Sequence, residues 1–195
     1  MMNLLINTVF HDFEFLFVPD FGANATLDSA PVIQDAYLNY RYSPELQLWF
    51  GKYKSPVGHE LLQSDSLMTF IEPALSSDLR PNRDLGTEVL GELFDSRVSD
   101  AVGIFNGVAD QANSGNLNYE DDKEFAGRIF LQPLKNSRLA ALQGLGLGVG
   151  GSYGSRLGNA AYSGLTGRYT TDGRQRFFAY TNGIVSNGTK WRISP

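Results

Sequence analysis

The chain of 195 residues predicts an all-β fold of antiparallel strands, and three observations carry that expectation. Apolar and polar residues alternate with a period of two almost throughout, as in strands whose two faces meet different surroundings. The 21 glycines, nine tyrosines and 13 phenylalanines suit strands and tight turns better than helices. The connections between alternating segments are short and long by turns, which fits an outer-membrane barrel, with short turns on one side and long loops on the other, better than a soluble sandwich.

Each strand follows from its own alternation. DFEFLFVPDFG puts Phe13, Phe15 and Phe17 on one face and predicts a first strand over 13–21. QDAYLNYRY sets Ala36, Leu38, Tyr40 and Tyr42 against Asp35, Asn39 and Arg41, a strand over 33–42. SPE turns the chain into LQLWF, where Leu46, Leu48 and Phe50 align, so 33–42 and 46–54 form a hairpin. After a long segment, DLGTEVLGEL alternates Leu85, Thr87, Val89, Gly91 and Leu93 against Glu88 and Glu92, predicting a strand over 84–94. A tight DSR follows, then RVSDAVGIFNG with Val98, Val102 and Ile104 aligned over 98–107. In FAGRIFLQ, Ile129 and Leu131 oppose Arg128, a strand over 124–132.

GLGLGVGGSYG, residues 144–154, admits two readings. Gly146, Gly148 and Gly151 satisfy the G-x-G-x-x-G spacing of a dinucleotide-binding turn, which requires a helix to follow. SRLGNAAYSGLTG has no helical period, whereas Leu145, Leu147 and Val149 alternate with glycine alone, so the segment reads as a strand. The last pair is RFFAYTNGIV, over 176–185, and KWRISP, joined across Asn187 and Gly188, a two-residue hairpin signal. Tyr40, Tyr42, Phe178 and Trp191 are expected to point outward, toward the membrane interfaces.

Eight strands of roughly ten residues and the start of a ninth result, an antiparallel transmembrane β-barrel architecture in a single domain over 1–195. The short connections are 43–45, 95–97 and 186–189, with 133–143 somewhat longer, and the long ones are 22–32, 55–83, 108–123 and 155–175. Polar residues then face an aqueous interior and apolar ones face lipid, and the strands close because lipid cannot satisfy a free edge. A net charge of -5 argues against a nucleic-acid partner. The absence of cysteine excludes disulfide and thiolate-metal frameworks, no H-x-x-x-H spacing occurs, and no cofactor is expected. No run approaches the ~18 apolar residues of a membrane helix. MMNLLINTVFHDF lacks a basic n-region and a cleavage site, so the chain reads either as cytoplasmic or as missing its true beginning.

The run IQDAYLNYRYSPELQLWFGKYKSPVGHELLQSDSLMTFIEPALSSDLRPNRDLG, then VGIFNG, FAGRIFLQP and FFAYTNGIVSNGTKWRISP, resembles the phosphate-selective porin O and P family of Gram-negative outer membranes. The resemblance extends from about residue 12 to the end, in the family's order. It implies a trimeric barrel of about sixteen strands in outer-membrane lipid, made with a signal peptide and carrying small anions such as phosphate or pyrophosphate through a loop-constricted pore. This chain supplies about half of such a barrel, so it reads as a fragment, either an open half-barrel with its outer edges at 13–21 and 176–192 or a small barrel forced shut. A full-length parent is expected to be a homotrimer.

The same resemblance makes 55–83 the loop that folds inward and narrows the pore, and Leu67, Met68, Phe70, Ile71 and Leu75 need something to pack against. The alternative is an outer lid against a neighbouring subunit. Anion selectivity needs cations at the constriction. The candidates are Lys52 and Lys54 at the strand end, Arg80 and Arg83 at the loop's return, and the wall residues Arg41, Arg128 and Arg192. Between Gly51 and Asp84, however, these four basic residues face Glu60, Asp65, Glu72, Asp78 and Asp84. Trp49 and Thr181 stand where the family often carries arginine, and Leu16 and Val18 put apolar groups on the lumen face. The charge balance therefore predicts only a modest anion preference. Two further classes compete with a pore: a structural or adhesive barrel with a plugged lumen, and an outer-membrane hydrolase built on His59, Glu60, Ser64 and Ser66, for which adjacent loop residues supply no triad geometry.

Overall fold

The computed structural model describes residues 6–20, 32–63, 70, 73–114, 123–159, 163–171 and 175–195. Nine strands make one antiparallel sheet: β1 (Ile6–Phe10), β2 (Phe13–Asp20), β3 (Val32–Ser43), β4 (Leu46–Lys54), β5 (Arg83–Leu93), β6 (Val98–Phe105), β7 (Glu124–Leu131), β8 (Leu147–Leu157) and β11 (Asn187–Ser194). Two short strands, β9 (Arg168–Thr170) and β10 (Arg176–Ala179), pair with each other apart from the main sheet. Single helical turns, α1 (His59–Leu62) and α2 (Ala140–Gln143), lie in connections. Among the described residues β1 and β11 are the sheet's two edges, and the sheet is not closed.

The fold class and six of the predicted strands, 13–21, 33–42, 46–54, 84–94, 98–107 and 124–132, appear with ends shifted by at most two residues. Three expectations are corrected. The sheet does not begin at 13–21, because β1 precedes β2 in a hairpin turned at His11, whose φ is 52°. Five residues are too few to display a period, so β1 escapes pattern reading. The strand expected over 144–154 runs over Leu147–Leu157 after the turn α2.

The third correction concerns the end of the chain. Of 176–185 only Arg176–Ala179 is strand, and its partner is β9. Asn187 and Gly188 do not turn a hairpin; they begin β11, which pairs directly with β8 from Asn187–Leu157 to Ser194–Gly150. A two-residue hairpin needs a long strand on both sides, and the stretch before Asn187 is broken by a turn at Gly183, with φ 84°. Phe178 accordingly sits in a small aromatic group with Tyr169 and Tyr180, at ring separations of 5.8 and 4.9 Å, rather than in a membrane belt. Among the described residues the edges are β1, which precedes the expected 13–21, and β11, which is only the later part of the expected 176–192. The short–long alternation survives these changes, with His11–Asp12 as a new short turn and a last long connection over 158–186.

Cross-strand register fixes the two faces, because a one-residue slip would exchange them. One row holds Glu88 opposite Trp49 and Gly103, Ala126 opposite Gly103 and Ser152, and Ser152 opposite Arg192. That row is buried although many members are charged: Glu88 is 6% exposed, Arg156 2% and Arg192 9%. The alternate row is apolar and open, with Val102 at 59%, Trp191 at 67% and Ile193 at 71%. Tyr42 and Leu38 lie on this outer row as expected. Apolar outside and charged inside is the pattern of strands that face lipid outward and water inward.

Gly51 lets β3 and β4 approach. Its φ is 138°, and a Cβ there would lie 2.2 Å from the Ala36 carbonyl oxygen and 2.7 Å from the Tyr37 Cα, both backbone atoms that cannot swing away. Gly51→Val is expected to destabilise the detergent-solubilised chain by at least the ~1–3 kcal/mol of a strained backbone position, read as a lowered urea midpoint. Gly144→Ala, with nothing within 4 Å, should leave the midpoint in place. Equal midpoints for the two variants would refute the close-approach argument.

Candidate functional site

On the inner face Tyr37 stacks on Trp49 with ring centroids 4.3 Å apart, Trp49 meets Tyr53 edge-on at 5.3 Å, and Tyr53 meets Phe105 at 5.7 Å. The start of the long 55–83 connection docks on this aromatic wall: Val57, 1% exposed, joins Tyr53, Phe105 and Ala126 in a small core. Arg80, buried at the loop's return, donates to the Val57 carbonyl at 3.0 Å and to the Ser77 hydroxyl. Ser77 in turn donates to Glu60, which also accepts from the Ala74 amide at 3.0 Å. The loop is thus a closed circuit around Arg80, with its first residues pressed on the wall.

Among the described residues, the apolar side chains of this connection expected to need packing, Phe70 and Leu75, stay exposed. Phe70 is 77% exposed and Leu75 55%, because Ser77 takes the inward face of the turn Leu75–Leu79 to reach Glu60 and Arg80. Leu67, Met68, Ile71, Ser64 and Ser66, with Asp65 and Glu72, lie outside the described residues. His59 lies flat on Phe130, 4.8 Å between centroids, and its Nε2 accepts from the Gln63 amide at 2.7 Å. Burial, and then the Arg128 charge, hold its imidazole below the ordinary range. Its partners are a ring and an amide.

A second inward anchor is wholly ionic. Asp110, after β6, is buried and accepts from Lys190 Nζ at 2.7 Å, from Arg192 Nε at 3.0 Å and Nη2 at 2.8 Å, and from the Tyr169 hydroxyl at 2.8 Å. Burial alone would raise its carboxyl, but Arg192 and Lys190 outweigh it and hold the group below the usual range. Arg192 also pairs with Glu124 and donates to Ser152 at 3.0 Å. Glu124 shares Arg156 at 3.3 Å, and Arg156 donates to the carbonyls of Gly107 and Val108. Strands β7, β8 and β11 thereby pin the chain segment 107–110 to the inner wall.

The predicted cations divide between wall and rim. Arg128 and Arg192 stand on the inner row, Arg128 within electrostatic reach of Glu88. Arg41 shares that row at the turn end of β3 and pairs with Glu14 at 3.2 Å. Lys52 and Lys54 alternate with the inward Gly51 and Tyr53 at the loop end of β4, and Lys52 donates to the Ser114 carbonyl at 2.7 Å. Arg83 pairs with Asp35 at 2.9 Å. The structure therefore brings Arg192 and Arg80 to one cavity of about 650 Å³, and leaves Lys52 and Arg83 among their own partners at the rim. Asp110, Glu124, Arg156, Lys190 and Tyr169 were not among the predicted site residues. Lys190 was within reach of pattern reading, since it shares the parity of Arg192, already named as a wall residue; Asp110 sits in a loop and Tyr169 in the three-residue β9, too short to show a period.

An antiparallel meander with an apolar outer face, a charged inner face and loops tucked against that inner face defines the wall of an outer-membrane porin. Residues 6–192 match the family model described as phosphate-selective porin O and P, and the chain belongs to that family. No curated protein matches the chain.

Proposed function

We propose that the chain forms part of a passive diffusion channel for small anions, phosphate among them, in the outer membrane of a Gram-negative bacterium, with the 55–83 connection narrowing the lumen. The observation that carries this reading is the cavity of about 650 Å³ at the β11 edge whose lining includes Arg80, Lys190 and Arg192 beside the carboxylates Glu60 and Asp110. Cations in a low-dielectric channel raise the local anion concentration and replace lost hydration. Their partners set the limit. Arg41 has Glu14, Arg83 has Asp35, and Arg156, Lys190 and Arg192 share Asp110 and Glu124, so the preference for anions over cations is modest. A homotrimer is the assembly that goes with this reading.

The test is the reversal potential under a salt gradient in planar bilayers. A modest anion preference is expected, fading at high salt as the screening length falls from ~10 Å at 0.1 M to ~3 Å at 1 M. Arg128→Gln removes a wall charge and should move the reversal potential toward cations. A pore with no preference, unmoved by that change, would overturn the anion reading. A folded, inserted protein that passes no current would favour the plugged structural barrel, which three loops meeting inside also support.

A further inference from the structure

The geometry points to Asp110 as a resident anion: its carboxylate occupies a cradle of Lys190, Arg192 and Tyr169 that also accepts small oxyanions such as phosphate, and a solute oxyanion competes with it and releases the loops it holds. This rests on the anion-diffusion reading for its ligand, but not for its geometry.

The cradle has the chemistry of an anion seat. Two charged side chains and one phenol direct four hydrogen bonds of 2.7–3.0 Å at a single carboxylate. Carboxylate and phosphate oxygens take the same donors, and charge-assisted bonds of this kind are the strong ones. Asp110 holds the seat from a loop, so it can leave without breaking a strand pair. A competitor has a way in, because Lys190, Arg192 and Asp110 all line the cavity of about 650 Å³, and the Lys190 side chain is 24% exposed. With Asp110 displaced, Lys190, Arg192 and Arg156 would keep only Glu124 between them, a local excess of positive charge that favours the incoming anion.

The consequence is mechanical. Asp110 also accepts from the Thr166 hydroxyl on its backbone carbonyl, and its neighbour Gln111 donates its amide to the Arg80 carbonyl at 2.7 Å. The Gln111 side chain bonds the Thr170 carbonyl at 2.5 Å and its amide at 3.2 Å. Asp110 and Gln111 therefore sit at the junction of three connections, and the Asp110 carboxylate is what ties that junction to β11 and Tyr169, so its exchange for a free anion loosens the junction. A tethered carboxylate competes at an effective concentration on the order of millimolar, so free phosphate should act in that range.

The experiment is amide hydrogen exchange on the detergent-solubilised chain, with inorganic phosphate titrated against chloride at equal ionic strength. Phosphate, not chloride, should speed exchange at Gln111, Ala112 and Thr170 in a saturable way. Asp110→Asn should exchange quickly at those amides without phosphate, show no further acceleration, and bind phosphate about tenfold more tightly than the unmutated chain. Lys190→Gln, which keeps Arg192 and Tyr169 on Asp110, should lose most of the phosphate response; unchanged exchange in β6 and β7 confirms that either variant is folded. Phosphate affinity in Asp110→Asn no tighter than in the unmutated chain, or a phosphate response equal to that of chloride, would overturn the inference. An anion-selective current with either result would leave the conduction reading intact, whereas phosphate-dependent exchange without anion selectivity would sink the conduction reading alone.

Discussion

Replacing Glu124 with alanine is expected to destabilise the folded chain by about 3–5 kcal/mol, the cost of stripping a buried ion pair of one member. Glu124 lies between Arg192 and Arg156, and the three side chains are 7%, 7% and 3% exposed. At Arg156, whose side chain is 3% exposed, no water replaces the missing carboxylate. Arg192 retains Asp110, but Arg156 retains only the carbonyls of Gly107 and Val108, which carry no charge to balance it. The change should appear as a lowered urea midpoint in detergent, together with faster exchange of amides in the 107–114 segment. Glu124→Ala combined with Arg156→Met, which removes the orphaned charge while keeping an apolar stem, should recover part of the loss. A Glu124→Ala effect within the ~0.5 kcal/mol of an ordinary surface change would show that water reaches the wall at this point.

That network also marks the limit of what the sequence alone could reveal. Strands announce themselves through period, so β2 to β7 are legible in position, and the parity of Arg41, Arg128 and Arg192 puts them on the inner row from the sequence alone. Charge pairing is a different matter, because Asp110 and Lys190 are 80 residues apart and meet only when the segment after β6 folds back onto β11. The same distance problem hid Glu124, which reads as the first residue of an ordinary strand and turns out to be shared by two arginines. The hairpin read across Asn187 and Gly188 failed for the converse reason: a local turn signal was overridden by a long-range partner, the glycine-rich β8, whose inward positions leave room for Lys190 and Arg192. Arg80 illustrates both effects. Its charge suggested a pore residue, while its bonds to Val57 and Ser77 make it the fastener of the loop that carries it.

Gly58→Ala should undo that fastener. Gly58 has φ 80°, and a Cβ built on it would lie 1.0 Å from Arg80 Nη1 and 2.1 Å from its Cζ, so the glycine hydrogen faces the space the guanidinium fills. A methyl group there expels Arg80 from its bonds to the Val57 carbonyl and the Ser77 hydroxyl, each worth ~1.5–3 kcal/mol when the donor is charged. The left-handed backbone adds ~1–3 kcal/mol of strain for a residue with a side chain. With the clasp open, the connection keeps Val57 in the core, the His59–Phe130 stack and the Gln111 amide on the Arg80 carbonyl, and its looser return should raise single-channel conductance and speed exchange at the Ser77 amide, now bonded to the Ala74 carbonyl at 2.7 Å. Two costs are mixed in this one variant, and a double-mutant cycle with Arg80→Ala separates them. In the Arg80→Ala background the clash is gone and only backbone strain remains, so Gly58→Ala should cost distinctly less there than in the unmutated chain. An equal cost in both backgrounds would mean that Gly58 is needed for its backbone angle alone, and that Arg80 holds the loop without its help.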